Sequence, residues 1–171
     1  MDPLSHEEHQ TRASELVVRC AVITVSDTRG EADDHSGALI KARLSEAGHL
    51  VESYDVVPDE PEQVADLVRR FAAHHDALLL NGGTGISGRD RTFEAVSGLL
   101  DRTLPGFGEL FRMLSYEQVG AAAMLSRAIA GVSGHALVFS MPGSPNAVRL
   151  AMDRLILPEL KHLVWELRRH A

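Results

Sequence analysis

Apolar residues along this chain follow two rhythms. Strand-length segments occupy Leu16 to Val25, which is nearly continuous in apolarity, Leu50 to Val57, Asp76 to Leu80, Ser126 to Val132 and His135 to Met141. Such runs suit strands, and near-continuous apolarity is the mark of a strand covered on both faces. Between them lie helix-length segments with recognisable ends. Ser36 serves as N-cap for a helix over 37–47 that Gly48 stops, and Pro61 stands at the first position of a helix reaching His74. Thr92 caps a helix over 93–100. Residues 104–108 read as a turn before helical segments from Glu109 to about Met124. Ser144 and Pro145 open the last helix, which Pro158 breaks or kinks before Glu159 to Arg169.

Strands alternating with helices predict an α/β fold, a three-layer sandwich whose mostly parallel sheet is flanked by helices. Residues 1–15 read as a flexible arm and 16–171 as a single domain. In such sheets ligands bind beyond the carboxyl ends of the strands. Four polar loops leave strand ends here: Ser26 to Gly30, Pro58-Asp59-Glu60, Asn81 to Asp90, and Pro142 to Asn146. They are expected to meet on one edge.

Composition narrows the class. A chain of 171 residues with 44% hydrophobic and 24% charged residues has the balance of a water-soluble domain. No apolar run approaches the roughly 20 residues that cross a bilayer, and the first residues lack a signal-peptide core, so no membrane partner is expected. One cysteine, Cys20, lies inside an apolar run and reads as a buried small residue; with no internal disulfide open to it, a cytoplasmic location is expected. A net charge of −7 argues against a nucleic-acid surface. Its distribution says more: residues 1–83 carry 16 acids and 7 bases, whereas residues 84–155 carry 6 acids and 7 bases, all arginine. The second region best tolerates an anionic ligand, although most of those arginines also suit a solvated helix face.

Candidate chemistry centres on Gly82-Gly83-Thr84-Gly85. The run from Gly83 to Gly88 spells the dinucleotide fingerprint, but it follows the third strand instead of the first, and the acid near the required offset, Glu109, sits beside a Pro-Gly turn, so that reading fails. No Walker A sequence occurs. Clustered glycines let several N–H groups converge on one anion, and Thr84 adds a hydroxyl. Gly143 and Ser144, at the start of the last helix, offer a second anion seat or simply a helix cap. Asp59 and Asp90 stand in strand-end loops and suit Mg²⁺, which is commonly held by one or two carboxylates. Asp27 is a third candidate, with an Asx turn as the plainer reading of Ser26-Asp27. The His6–His9 and His74–His75 pairs read as weak metal candidates, the latter better explained as a helix terminus.

These residues resemble the MogA/MoaB family of molybdenum-cofactor biosynthesis proteins. The resemblance spans about residues 18–165. Its carriers are Val25-Ser26-Asp27, Val57-Pro58-Asp59-Glu60, Gly82-Gly83-Thr84-Gly85 with Arg89-Asp90 and Thr92, Pro105 to Glu109, Leu125-Ser126-Arg127, and Pro142 to Ala147. It departs where the family usually has proline, at Phe93 and at Gly88. The resemblance implies a cytoplasmic homotrimer that moves AMP from ATP to the terminal phosphate of molybdopterin and releases pyrophosphate. A molybdenum-insertion protein is then the downstream partner. It makes Asp59 and Asp90 the essential, metal-holding acids, puts phosphate on Gly83, Thr84 and Gly85, and implies pterin or nucleotide contacts near Ser115, Ser126 and Pro142 to Ser144. The alternatives are a non-catalytic molybdopterin carrier of the MoaB type, which would bind molybdopterin without ATP turnover, and an interaction protein that binds neither.

Overall fold

The computed structural model describes residues 15–169. The expected arm at 1–15, with His6 and His9, lies outside the described residues except for Glu15. Six strands form one sheet in the order β2-β1-β3-β6-β5-β4. They are β1 Arg19–Val25, β2 Leu50–Val57, β3 Ala77–Asn81, β4 Arg102–Thr103, β5 Ile129–Ser133 and β6 Ala136–Met141. β2, β1, β3 and β6 run parallel; β5 and β4 are antiparallel to their neighbours. Six helices accompany them: α1 His35–Glu46, α2 Pro61–Ala72, α3 Thr92–Ser97, α4 Pro105–Val119, α5 Pro145–Ala151 and α6 Leu157–Arg168.

Why the central strands are so apolar is visible in the core. Odd and even positions go to opposite sides of the sheet. Cys20, Val22, Ala77, Leu79, Leu137 and Phe139 pack with residues of α1, α4, α5 and α6. Ala21, Ile23, Leu78, Leu80 and Val138 pack with Val64, Leu67, Val68 and Phe71 of α2 and Val96 of α3. Both faces of β1, β3 and β6 being covered, these strands show little alternation, whereas β2, half-exposed along its length, keeps Glu52, Ser53 and Asp55. Cys20 is fully buried, and burial pushes its thiol up to about 12, which suits a packing residue and not a nucleophile.

Several local expectations are corrected. Asp34, not Ser36, caps α1, accepting from the Gly37 N–H at 2.9 Å. Thr92 is the first residue of α3, whose N-cap is Arg91. Residues 105–108, read as a turn, are the first turn of α4, because proline is well suited to a first helical position. The edge strand β4 was not anticipated, and β5 begins three residues later than the apolar run. Pro158 does not break the last helix. A π turn over Met152–Ile156 precedes it and joins α5 directly to α6, relieving the contact between the proline ring and the preceding turn.

Register brings the strand ends level. Thr24 pairs with Asn81, Asn81 with Met141, and Val25 with Val57. The chain turns one way after β1 and the other after β3, so their loops part above a crevice at the point where strand order reverses. Gly82 makes the exit from β3 possible: its φ is 96°, and a Cβ there would overlap the Val25 carbonyl oxygen. Gly82→Ala should therefore cost about 3 kcal/mol and lower Tm by roughly 6–12 °C. Thermal unfolding checks this, and a Tm within 1 °C or so of the parent would show that the turn is not constrained as described.

Candidate functional site

The four strand-end loops close around one another through backbone and short side chains. Ser26 N donates to Val57 O at 2.8 Å, and Gly82 N donates to Met141 O at 3.1 Å. Ser36, freed from capping, donates its hydroxyl to Gly143 O at 2.8 Å and ties α1 to the loop after β6. Below them, Asn81 Nδ2 donates to Thr24 Oγ1 at 2.7 Å, and the Tyr54 hydroxyl donates to Asp34 Oδ2 at 2.7 Å. Burial presses on the Asp34 carboxyl, but hydrogen bonds from Thr24, Gly37 and Tyr54 outweigh it and hold its pKa below the usual range.

An open cleft of about 420 Å³ results, within the range of small-molecule sites. Ser26, Gly82, Gly83, Thr84 and Gly85 line it, as do Asp90, Ser126, Pro142 and Gly143, all anticipated from sequence. Val25, Arg29 and Leu125 complete the lining. Ser144 stands behind the cleft as the N-cap of α5, accepting from Ala147 N at 3.2 Å. Ser115 is buried on α4 and is not part of the lining.

Asp59 is not among the residues lining the cleft; it lies against Gly83, beneath the loop, and is only 6% exposed. Thr92 Oγ1 donates to its Oδ1 at 3.1 Å, and the Arg91 N–H reaches both oxygens at 3.3–3.4 Å. Gly83, at φ 63°, lies so close that a Cβ would overlap Asp59 Oδ2 and Thr92 Oγ1. Asp90 stands likewise against Gly85, with its Oδ2 accepting from Ser87 N at 3.0 Å. Burial raises the Asp59 pKa against the opposing hydrogen bonds from Thr92 and Arg91, and the neighbouring charges of Asp90 and Asp27 raise it further.

Asp27 sits at the rim. Its Oδ1 accepts from Asp59 N at 3.0 Å and its Oδ2 from Arg89 at 3.0–3.2 Å, while Arg89 Nη1 also reaches Glu60 at 3.2 Å. The Asp59 N–H and then Arg89 hold the Asp27 pKa below its usual range. Asp27 thus links three loops, while the local turn at Ser26-Asp27 is made by Ser26, whose Oγ accepts from Thr28 N at 3.3 Å and Arg29 N at 3.2 Å.

Two arginines have no role assigned from sequence, although Arg127 stands among the residues that carry the resemblance. Arg29 lines the cleft, and its longest-reaching contact is Nη1 to Gly143 O at 3.4 Å. Arg127 lies behind the glycine loop and binds its carbonyls. Only their positions signalled them: one in the loop leaving β1, the other next to Ser126. His75, by contrast, is a helix-end residue as expected, its Nδ1 3.0 Å from Phe71 O and its Nε2 3.1 Å from Ser53 Oγ.

Comparison with known proteins agrees with this geometry. A family model described as "Probable molybdopterin binding domain" matches residues 21–162. Molybdenum cofactor biosynthesis protein B of Bacillus cereus is 54% identical over 171 residues, covering 97% of this chain and 99% of its own. A crystal structure of molybdenum cofactor biosynthesis protein B superposes with a TM-score of 0.87 at 56% identity, covering 90% of this chain and 98% of that one. The tungsten cofactor synthesizing protein MoaB from Pyrococcus furiosus gives a TM-score of 0.81 at 40% identity, covering 89% and 98%.

The raised Asp59 pKa has a thermodynamic sign. A carboxyl whose folded pKa exceeds its unfolded value contributes stability below the unfolded pKa, near 4, and that contribution is lost as pH rises through the folded value. At neutral pH the ionised, buried Asp59 therefore opposes folding of the ligand-free protein. Asp59→Asn should raise Tm at pH 7 by about 2–5 °C, with the gain vanishing near pH 3.5. Calorimetry at both pH values tests this; a variant less stable at pH 7 would contradict it.

Proposed function

The chain belongs to the molybdopterin-binding domain family of molybdenum-cofactor biosynthesis proteins, and on that premise we propose that it is a molybdopterin adenylyltransferase. The observation that supports this most is a pair of carboxylates, Asp59 and Asp90, set against Gly83 and Gly85 of a loop shaped for phosphate. A protein that only bound anions would be weakened by two acids in that position.

In this reading the loop N–H groups receive phosphate oxygens of ATP, with Thr84 and Arg29 beside them. Molybdopterin lies toward Ser126 and Pro142-Gly143-Ser144. A terminal phosphate oxygen of molybdopterin attacks the α-phosphorus of ATP in line; the new P–O bond forms as the bond to the α,β-bridging oxygen breaks, and pyrophosphate leaves with that electron pair. A phosphate monoester, with a second pKa of about 6, is already largely ionised at neutral pH, so no side chain need take a proton. Alignment and charge placement carry the rate.

Mg²⁺ fits the donor set. Asp59 and Asp90 are hard oxygen donors, and the charges of Asp90 and Asp27 bear on Asp59 without a cation that neutralises all three. Bound there, the ion would neutralise the triphosphate and ease departure of pyrophosphate. Assembly as a homotrimer is supported by an apolar stripe along α4, where Leu110, Met113, Tyr116 and Val119 recur every three residues and are each about half exposed or more. Among the described residues no helix is long and apolar enough to cross a membrane. We place the protein in the cytoplasm, upstream of a molybdenum-insertion protein.

Purified protein given molybdopterin and Mg·ATP should yield adenylylated molybdopterin and pyrophosphate. Asp90→Asn should lower the rate by about 10³-fold or more. A wild-type rate in that variant removes Asp90 from the mechanism, and tight molybdopterin binding without ATP turnover makes the protein a carrier.

A further inference from the structure

The segment from Gly82 to Phe93 contains four glycines and no proline, so its own covalent structure restricts it little. Yet it must hold several N–H groups on one target. One side chain outside the segment compensates. Arg127, placed between the 3-10 turn Gly120–Leu125 and β5, sends Nε to Thr84 O at 3.0 Å and Nη2 to both Gly85 O and Asp90 O, the latter at 3.0 Å. Its Nη1 pairs with Glu94, and its guanidinium carbon lies 5.1 Å from the centre of the Phe93 ring. The side chain is 24% exposed, so these contacts are poorly screened.

Three carbonyls on one guanidinium determine where the adjoining N–H groups point. A trans peptide is planar and directs its C=O and N–H oppositely. Anchoring Thr84 O and Gly85 O therefore turns the N–H groups of Gly85 and Ile86 away from Arg127. The third peptide shows the same geometry completed: Asp90 O is on Arg127, and the Arg91 N–H of that peptide donates to Asp59. The preceding carbonyl, Gly83 O, is taken by Thr92 N at 3.0 Å. No lysine can replace this arrangement, because a point charge cannot fork to three acceptors fixed by one plane.

We propose that Arg127, braced by Phe93 and Glu94, is the positioning residue that holds the glycine loop with its N–H groups turned to the cleft and Asp59 in register with them. It touches neither reacting group. Its effect on nucleotide phosphates rests on the adenylyl-transfer reading; its effect on the loop does not.

Inorganic pyrophosphate is the probe for the anion seat, and amide hydrogen exchange over residues 83–87 reads the loop without any ligand. Arg127→Gln should weaken pyrophosphate binding by roughly 30-fold and speed loop exchange at least about tenfold, with Tm changed by only a few degrees. Arg127→Lys should recover little of either, and Phe93→Ala should fall between wild type and Arg127→Gln in both. Wild-type exchange and affinity in Arg127→Gln, or full recovery by Arg127→Lys, overturns the proposal. Product analysis separates the two readings. Adenylylated molybdopterin from the wild type, with unchanged pyrophosphate affinity in Arg127→Gln, sinks the positioning role alone. A wild type without product, whose loop is nonetheless loosened in Arg127→Gln, sinks the transferase alone. Should the wild type bind no pyrophosphate, the exchange rates decide, acceleration supporting the clamp and no change overturning it.

Discussion

Asp59 is buried with its oxygens on Thr92 Oγ1 and the Arg91 N–H, and Gly83 lies where a larger residue would overlap it. That one carboxylate links the loop after β2 to the start of α3, and its own N–H reaches Asp27 in the loop after β1. Three separate stretches of chain are thus referred to a single residue, two through its carboxylate and one through its backbone N–H. The arrangement requires glycine at 83, a small hydroxyl at 92 and an aspartate at 27, and it costs stability whenever the carboxyl is ionised without a counter-charge. In the proposed reading, Mg²⁺ is the cation that relieves this unfavourable charge.

The two arginines facing this region divide the work by what they touch. Arg89 is exposed and paired with Asp27 and Glu60, so its pairs are worth little as stabilisation and serve mainly to keep three loops at a common spacing. Arg127 faces backbone carbonyls, where each lost bond would leave a partly buried acceptor unsatisfied. The cleft offers the backbone of the glycine loop on one wall, with Asp90 in its lining and Asp59 against Gly83. The proposed binding of a phosphate chain with its metal rests on that polarity.

Much of this was legible in the chain. The strands were found because residues such as Val22, Leu79 and Val138 are apolar on both faces, and the loops because the glycines, Pro58 and Pro142 punctuate strand ends. The cleft residues from Gly82 to Gly85, with Asp90 and Gly143, were read from the same punctuation. What escaped depends on contacts between distant residues. Ser36 and Thr92 have the letters of helix caps, but their hydroxyls go to Gly143 and Asp59, and no local pattern distinguishes the two uses. Arg127 looks like any arginine until the carbonyls of Thr84, Gly85 and Asp90 are brought to it. The π turn before Pro158 was invisible because a proline reads the same whether it breaks a helix or only widens one turn.

The pairing of β6 with β3 has a bearing on how the cleft comes into being. Gly143 reaches Ser36 across 107 positions of chain, and Gly82 N is held by Met141. Contacts of such sequence separation form slowly, since loop closure must precede them. During synthesis, the glycine loop emerges long before the strand that supports it. Until β6 docks, β3 is an edge with open backbone groups, and the loop beyond it has nothing to set its shape. A ligand held by that loop accordingly recognises only the finished protein, and binding it favours the completed chain over every shorter nascent form.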